Sequence, residues 1–139
     1  RRSPMMPFVV RTGVDLVYIP RIAHALARFG DRFVHRIYTP EEIRICAGRP
    51  QAFAARWAGK EAVAKLLGVV AGLGSGANAV PFRHIEIIRT AAGKPQLVLH
   101  ARALQCAHAL SLTSFDISMS HDGDYAMASA VAIGQVRDA

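Results

Sequence analysis

The chain has 139 residues, 52% of them hydrophobic and 19% charged, enough apolar surface to order one compact domain and too much for a disordered chain. No run of ~18 uninterrupted apolar residues occurs; the greasiest stretch, 62–79, is broken by Lys65, four glycines, Ser75 and Asn78, so no membrane-spanning helix is expected. Lys and Arg outnumber Asp and Glu by 17 to 10, a formal net charge of +7, which points to anionic partners such as nucleic acid, phosphorylated cofactors or acidic proteins.

In chain order, residues 1–7 are basic and proline-rich without an apolar core, and are expected to be a disordered or expression-derived extension. A single domain over 8–134 and a short tail at 135–139 follow. Residues 8–17 are β-branched and mostly apolar, which predicts a strand. Pro20 suits the first turn of a helix over 21–29, with Gly30 as its stop. Thr39-Pro40-Glu41-Glu42 carries an N-cap, a first-turn proline and the glutamate of a capping box, predicting a short helix that ends near Gly48. Pro50 opens a longer helix over 51–67, closed by Gly68, and 68–78 is a glycine-rich loop. Strands at 82–89 and 96–100 flank the turn Ala92-Gly93-Lys94-Pro95, a helix covers 101–110, and strands at 115–121 and 125–133 form a hairpin around Asp122-Gly123-Asp124. The expected fold class is α+β, a mostly antiparallel sheet packed against a long central helix. Cys46 and Cys106 fit neither a zinc spacing nor a secreted disulfide framework, so a reducing, cytoplasmic setting is expected.

Charges interrupt the apolar pattern in three places. Asp15 sits between Val14 and Leu16 in a greasy strand, either as a strand-end aspartate bound to backbone amides or as a site residue. In the central helix only Arg56, Lys60, Glu61 and Lys65 are charged, and Glu61 lies about 40° from Trp57 and about 20° from Ala54 on the helical wheel. A carboxylate in such surroundings costs several kcal/mol unless it is paired or binds a metal; Lys65, one turn on, is the simple pairing partner. In the last hairpin Phe115, Ile117 and Met119 alternate to one face and place His121 at the end of that row, with Ser118 and Ser120 facing away. The other histidines, at 24, 35, 84, 100 and 108, lack zinc-ligand spacing.

Two carboxylates from different elements, with lysines adjacent, suit Mg2+ holding a phosphate-bearing ligand, because that ion takes few protein carboxylates and keeps waters and phosphate oxygens. The glycine loop matches neither G-x-x-x-x-G-K-S/T nor G-x-G-x-x-G, so it names no nucleotide.

Three ordered segments resemble the motifs of holo-acyl-carrier-protein synthase, the small group of the 4'-phosphopantetheinyl transferases. Gly13-Val-Asp-Leu-Val-Tyr-Ile-Pro-Arg-Ile22 is similar to the opening G-I/V-D-x-x-x-I/V/L-x-R-I/V/F. Phe53-Ala-Ala-Arg-Trp-Ala-Gly-Lys-Glu-Ala-Val-Ala-Lys65 is similar to the central F-x-x-R/K-F/W/Y-x-x-K-E-A-x-x-K, and Ser118-Met-Ser-His121 to the closing S-x-S/T-H. Ile85-Glu86-Ile87 and Gly93-Lys94-Pro95 match the I-E-I/V strand and G-x-P turn between them. The resemblance implies the 4'-phosphopantetheinyl transferase fold and transfer of phosphopantetheine from coenzyme A to a serine of apo acyl carrier protein, in fatty-acid or polyketide synthesis. It implies Asp15 and Glu61 as Mg2+ ligands and Glu61, Lys65 and His121 as catalytic residues. Arg56, Lys60, Lys65, Ser120 and His121 would contact coenzyme A, and Arg21 and Arg28 would meet the acidic helix of the carrier protein. It also implies a homotrimer with sites between neighbouring subunits, so that His121 serves carboxylates of another chain. Gly59 departs from the family's usual alanine and His84 from its usual aspartate; the glycine predicts a slightly looser helix. The rival reading from composition is a basic nucleic-acid-binding module, which accounts for the charge but gives Asp15 and Glu61 no task.

Overall fold

The structure is a computed structural model that describes residues 7–72, 76 and 78–136. Of the expected N-terminal extension, residues 1–6, and of the expected C-terminal tail, residues 137–139, lie outside the described residues, while Gln135 ends the last strand. The chain runs β1 (Phe8–Tyr18), α1 (Ile19–Phe29), α2 (Asp31–Ile37), α3 (Pro40–Cys46), α4 (Pro50–Leu67), β2 (Val70–Gly72), β3 (Ala79–Pro81), a 3-10 turn (Phe82–His84), β4 (Ile85–Arg89), β5 (Pro95–Leu99), α5 (Ala101–Ala109), β6 (Leu112–Asp122) and β7 (Tyr125–Gln135).

The largest sheet is three-stranded and antiparallel, in the order β1-β7-β6, and β4 with β5 forms a second antiparallel pair. This is the α+β arrangement expected, with α4 lying across the large sheet. Strand alternation decides which face it covers. Ala126, Ala128, Ala130 and Ala132 of β7 turn inward and are all buried, and such small side chains let the helix approach closely. Closest of all is Gly13 of β1, where an added Cβ would lie 1.9 Å from the carbonyl oxygen of Ala62. The same contact logic holds at Gly59, whose added Cβ would lie 2.3 Å from Ile87 Cδ1. The missing methyl makes room for the Ile87 side chain of β4 against α4.

Among the described residues, nothing covers the opposite face of the sheet. Phe8, Val10, Val14, Leu16 and Tyr18 of β1 and Tyr125, Met127, Val131 and Ile133 of β7 are each 40% exposed or more. A contiguous apolar surface of this kind marks an interaction site.

Several local expectations hold. Thr39 caps α3 with both halves of the capping box formed, and Gly68 closes α4 in the left-handed conformation at φ 71°. Three differ. Gly30 ends α1 and also stands as the N-cap of α2, a helix the sequence reading missed. The expected loop 68–78 contains β2, which pairs in parallel with β3; residues 73–75 and 77 lie outside the described residues. The expected strand at 82–89 begins as a 3-10 turn because Phe82 folds inward, buried against Trp57 at a ring separation of 4.7 Å.

Candidate functional site

Asp15 lies on the side of β1 that faces α4, between the buried Gly13 and Val17. Lys65 reaches across from the last turn of α4. Its ammonium donates to the Val14 carbonyl at 3.0 Å and to Asp15 Oδ1 at 3.2 Å. The simple i, i+4 pair between Glu61 and Lys65 is thus not formed, and among the described residues Glu61 has no cation within 4 Å. Partial burial and the like charge of Asp15 push the Glu61 carboxyl above its ordinary value, against the smaller opposite pull of Lys65 and Arg21. Asp15, Glu61, Lys65 and Arg21 therefore share one electrostatic neighbourhood built by β1, α1 and α4.

Two mutually repelling carboxylates are a donor set that a divalent cation relieves. No group of three or more His, Cys, Asp or Glu suited to a metal exists among the described residues. The pair consequently fits a hard ion that completes its shell with water and phosphate oxygens, and does not fit a zinc site closed by protein ligands.

His121 and Ser120 lie elsewhere. In the sheet register His121 pairs with Ala126, which pairs with Val17, so His121 is two strands, roughly 10 Å, from β1. It lines a cavity of about 200 Å³ on the other flank of α4 with Arg49, Arg56, Arg89, Met119 and Ser120. Arg56 is itself buried, and its Nε donates to the Ile87 carbonyl at 3.0 Å. Within one chain the structure brings Arg56, Ser120 and His121 together, and separates them from Asp15, Glu61 and Lys65.

A third surface surrounds Arg21 and Arg28, both exposed on α1. Arg28 shares the rim of a cavity of about 530 Å³ with Arg32 and Arg36 of α2, over a floor that includes Phe33, Trp57 and Phe82. Phe33 stacks on Trp57 at 5.9 Å.

Lys60 belongs to none of these surfaces, which corrects its expected place beside coenzyme A. It is wholly buried, and its ammonium donates to Glu42 Oε1 at 2.7 Å and to the carbonyls of Phe82 at 3.0 Å and Ile85 at 2.5 Å. Lys60 and Glu61 are neighbours in sequence, but about 100° of helical rotation sends them to different sides of α4.

A sequence profile of the 4'-phosphopantetheinyl transferase superfamily matches residues 11–130, an interval that holds all three motif segments. The chain belongs to that superfamily. Among its relatives, a holo-acyl-carrier-protein synthase of Herpetosiphon aurantiacus is 47% identical over 124 residues, spanning 88% of this chain and 98% of the relative. Another, of a Roseiflexus species, is 56% identical over 95 residues, spanning 68% and 69% of the two chains. The Helicobacter pylori holo-acyl-carrier-protein synthase, solved in complex with coenzyme A, superposes with a TM-score of 0.74 at 30% identity over 87% of this chain and 98% of that one. A nucleic-acid-binding module finds no support in these likenesses to phosphopantetheinyl transferases.

Sequence reading missed Arg32 and Arg36 because it missed α2, although Asp31 in the first turn and Arg36 in the last are ordinary helix signals. It also missed Arg49 and Arg89, which reach the His121 cavity through tertiary packing that no local pattern announces.

Proposed function

We propose that this protein transfers the 4'-phosphopantetheine arm of coenzyme A to a serine of apo acyl carrier protein, releasing adenosine 3',5'-bisphosphate. The observation that carries the reading is the Asp15–Glu61–Lys65 cluster, set in a chain that shares nearly its full length with holo-acyl-carrier-protein synthases. Asp15 and Glu61 are the residues that would hold Mg2+, whose chemistry when bound is to neutralise charge on the diphosphate oxygens. Lys65, with its side chain 56% exposed, keeps one ammonium proton beyond its bonds to Val14 and Asp15 with which to meet a phosphate. Glu61 is the group we assign to take the serine proton. Arg49, Arg56 and Arg89 with Ser120 and His121 make a cationic pocket for the phosphates and adenosine of coenzyme A. Arg21, Arg28, Arg32 and Arg36 present positive charge around an aromatic floor, which suits an acidic amphipathic helix of the carrier protein.

We further infer a homotrimer. The bare apolar face of β1 and β7 supports association. So does the separation of His121 from Asp15 and Glu61, because a neighbouring copy is one way to bring both sets to one site. The two free cysteines accord with a reducing, cytoplasmic setting.

The test is the intact mass of an apo acyl carrier protein incubated with this protein and coenzyme A. The expected result is a gain of one phosphopantetheine per carrier that a chelator abolishes and added Mg2+ restores. A carrier left unmodified under all conditions would overturn the assignment, and a transfer unaffected by chelator would overturn the metal role.

A further inference from the structure

Glu42 and Lys60 are both wholly buried and 2.7 Å apart, and neither touches a surface that the proposed reaction uses. The pair is fully satisfied. Lys60 donates to Glu42 and to the Phe82 and Ile85 carbonyls. Glu42 Oε1 also accepts from the Thr39 amide at 2.9 Å, and Oε2 from the Ile87 amide at 3.0 Å. Stability alone is a weak reason for such a pair, because apolar replacements of buried ion pairs are often neutral or stabilising.

What the pair does is join α3, α4, the 3-10 turn and β4 at one point. One turn earlier, Arg56 ties α4 to β4 again through the Ile87 carbonyl. The need for pins is greatest where α4 meets the strands through its smallest residues, Gly59 against Ile87 and Ile117 and Ala62 against Gly13. Side chains this small make shallow ridges, so interlocking resists rotation of the helix weakly. Rotation matters because Glu61 follows Lys60 by about 100° on the wheel. A turn of ~10° about the helix axis moves a carboxylate held ~6 Å from that axis by ~1 Å, and a misplacement of ~1 Å is worth up to ~10²-fold in rate.

We propose that Glu42 and Lys60 are positioning residues whose buried pair sets the rotation of α4 at which Glu61 faces Asp15. The proposal rests on the assignment of Asp15 and Glu61 as reacting-site carboxylates. The pair is wholly buried, away from the surfaces proposed to meet coenzyme A and carrier protein, so its removal is expected to act on turnover and to leave substrate binding alone.

The test uses the full chain and the double variant Glu42→Gln/Lys60→Met, which removes both charges together and leaves no unpaired buried ion. With folding verified by circular dichroism, kcat is expected to fall ~10- to 100-fold while the KM for coenzyme A stays within about two-fold. A folded double variant with kcat within two-fold of wild type would overturn the proposal, since a purely structural pair leaves the kcat of folded enzyme alone. Should the double variant not fold, Glu42→Gln by itself carries the test, with a ~3- to 10-fold loss of kcat at unchanged KM expected and an unchanged kcat overturning it. Glu61→Gln is measured alongside. If it too retains full turnover, the carboxylate assignment has failed; if it is inactive while the double variant is normal, only the positioning role has.

Discussion

Gly13→Ala is the smallest change that reaches the site through the backbone. The added Cβ would stand 1.9 Å from the Ala62 carbonyl oxygen, 2.8 Å from its carbonyl carbon and 3.1 Å from the Leu66 nitrogen. All three are main-chain atoms of α4, so no rotamer change relieves the clash. Reaching even 3.0 Å from the oxygen requires β1 and α4 to separate by about 1 Å, next to Asp15 on one side and Glu61 on the other. Overpacking of this kind costs about 1–3 kcal/mol, which for a domain of this size lowers Tm by roughly 4 °C per kcal/mol. The same ~1 Å shift disturbs the spacing of the two carboxylates and is expected to cut turnover ~10- to 100-fold. Scanning calorimetry and the carrier-protein mass assay read the two effects separately. A variant with wild-type Tm and wild-type turnover would refute both the close packing and its role in setting the site.

The remaining expectations use the same geometry. Asp15→Asn removes the like charge that helps hold the Glu61 carboxyl high, so the Glu61 titration seen by carboxyl carbon NMR moves to lower pH; no movement would contradict their proximity. In the wild type, a raised Glu61 pKa means that the folded apo protein binds a proton more tightly than the unfolded chain. Its contribution to stability therefore declines as pH rises from the ordinary glutamate value through the folded one, while Mg2+ binding, which needs the ionised form, strengthens over the same range; calorimetric titrations at several pH values check both signs. Arg32→Ala and Arg21→Ala are expected to raise the KM for carrier protein several-fold more than that for coenzyme A, and equal effects on both would argue against docking on α1 and α2. Leu16→Glu places a charge on the bare face of the sheet and is expected to yield monomers in sedimentation and to lose activity, whereas an intact oligomer would count against that face as the interface.

Much of this was legible before the structure. Local signals gave β1, the capping box of α3, the long α4 and the closing hairpin within a few residues, because each carries its own periodicity and stop residues. Asp15 and Glu61 stood out as charges in apolar runs, and the structure does bring them into one field. Apart from α2, which carries local helix signals, what failed depends on contacts distant in sequence. The three-residue parallel pair of β2 and β3 has no local pattern, and Glu42 reads as a cap until Lys60, 18 residues on, is found beside it. The run Lys60-Glu61 looks like one charged patch in a line of text, yet helical geometry points the lysine into the interior and the glutamate toward β1. That is why Lys60 lies inside while Lys65, one turn beyond Glu61, meets Asp15.

The central claim is that carboxylates from β1 and α4 jointly hold one divalent cation. Diffraction from crystals grown with Mn2+ and coenzyme A, collected at the manganese absorption edge, tests it most directly. The expected anomalous peak lies about 2.1–2.2 Å from an oxygen of both Asp15 and Glu61. Bound coenzyme A with no peak there, or a peak that touches neither carboxylate, would contradict the account.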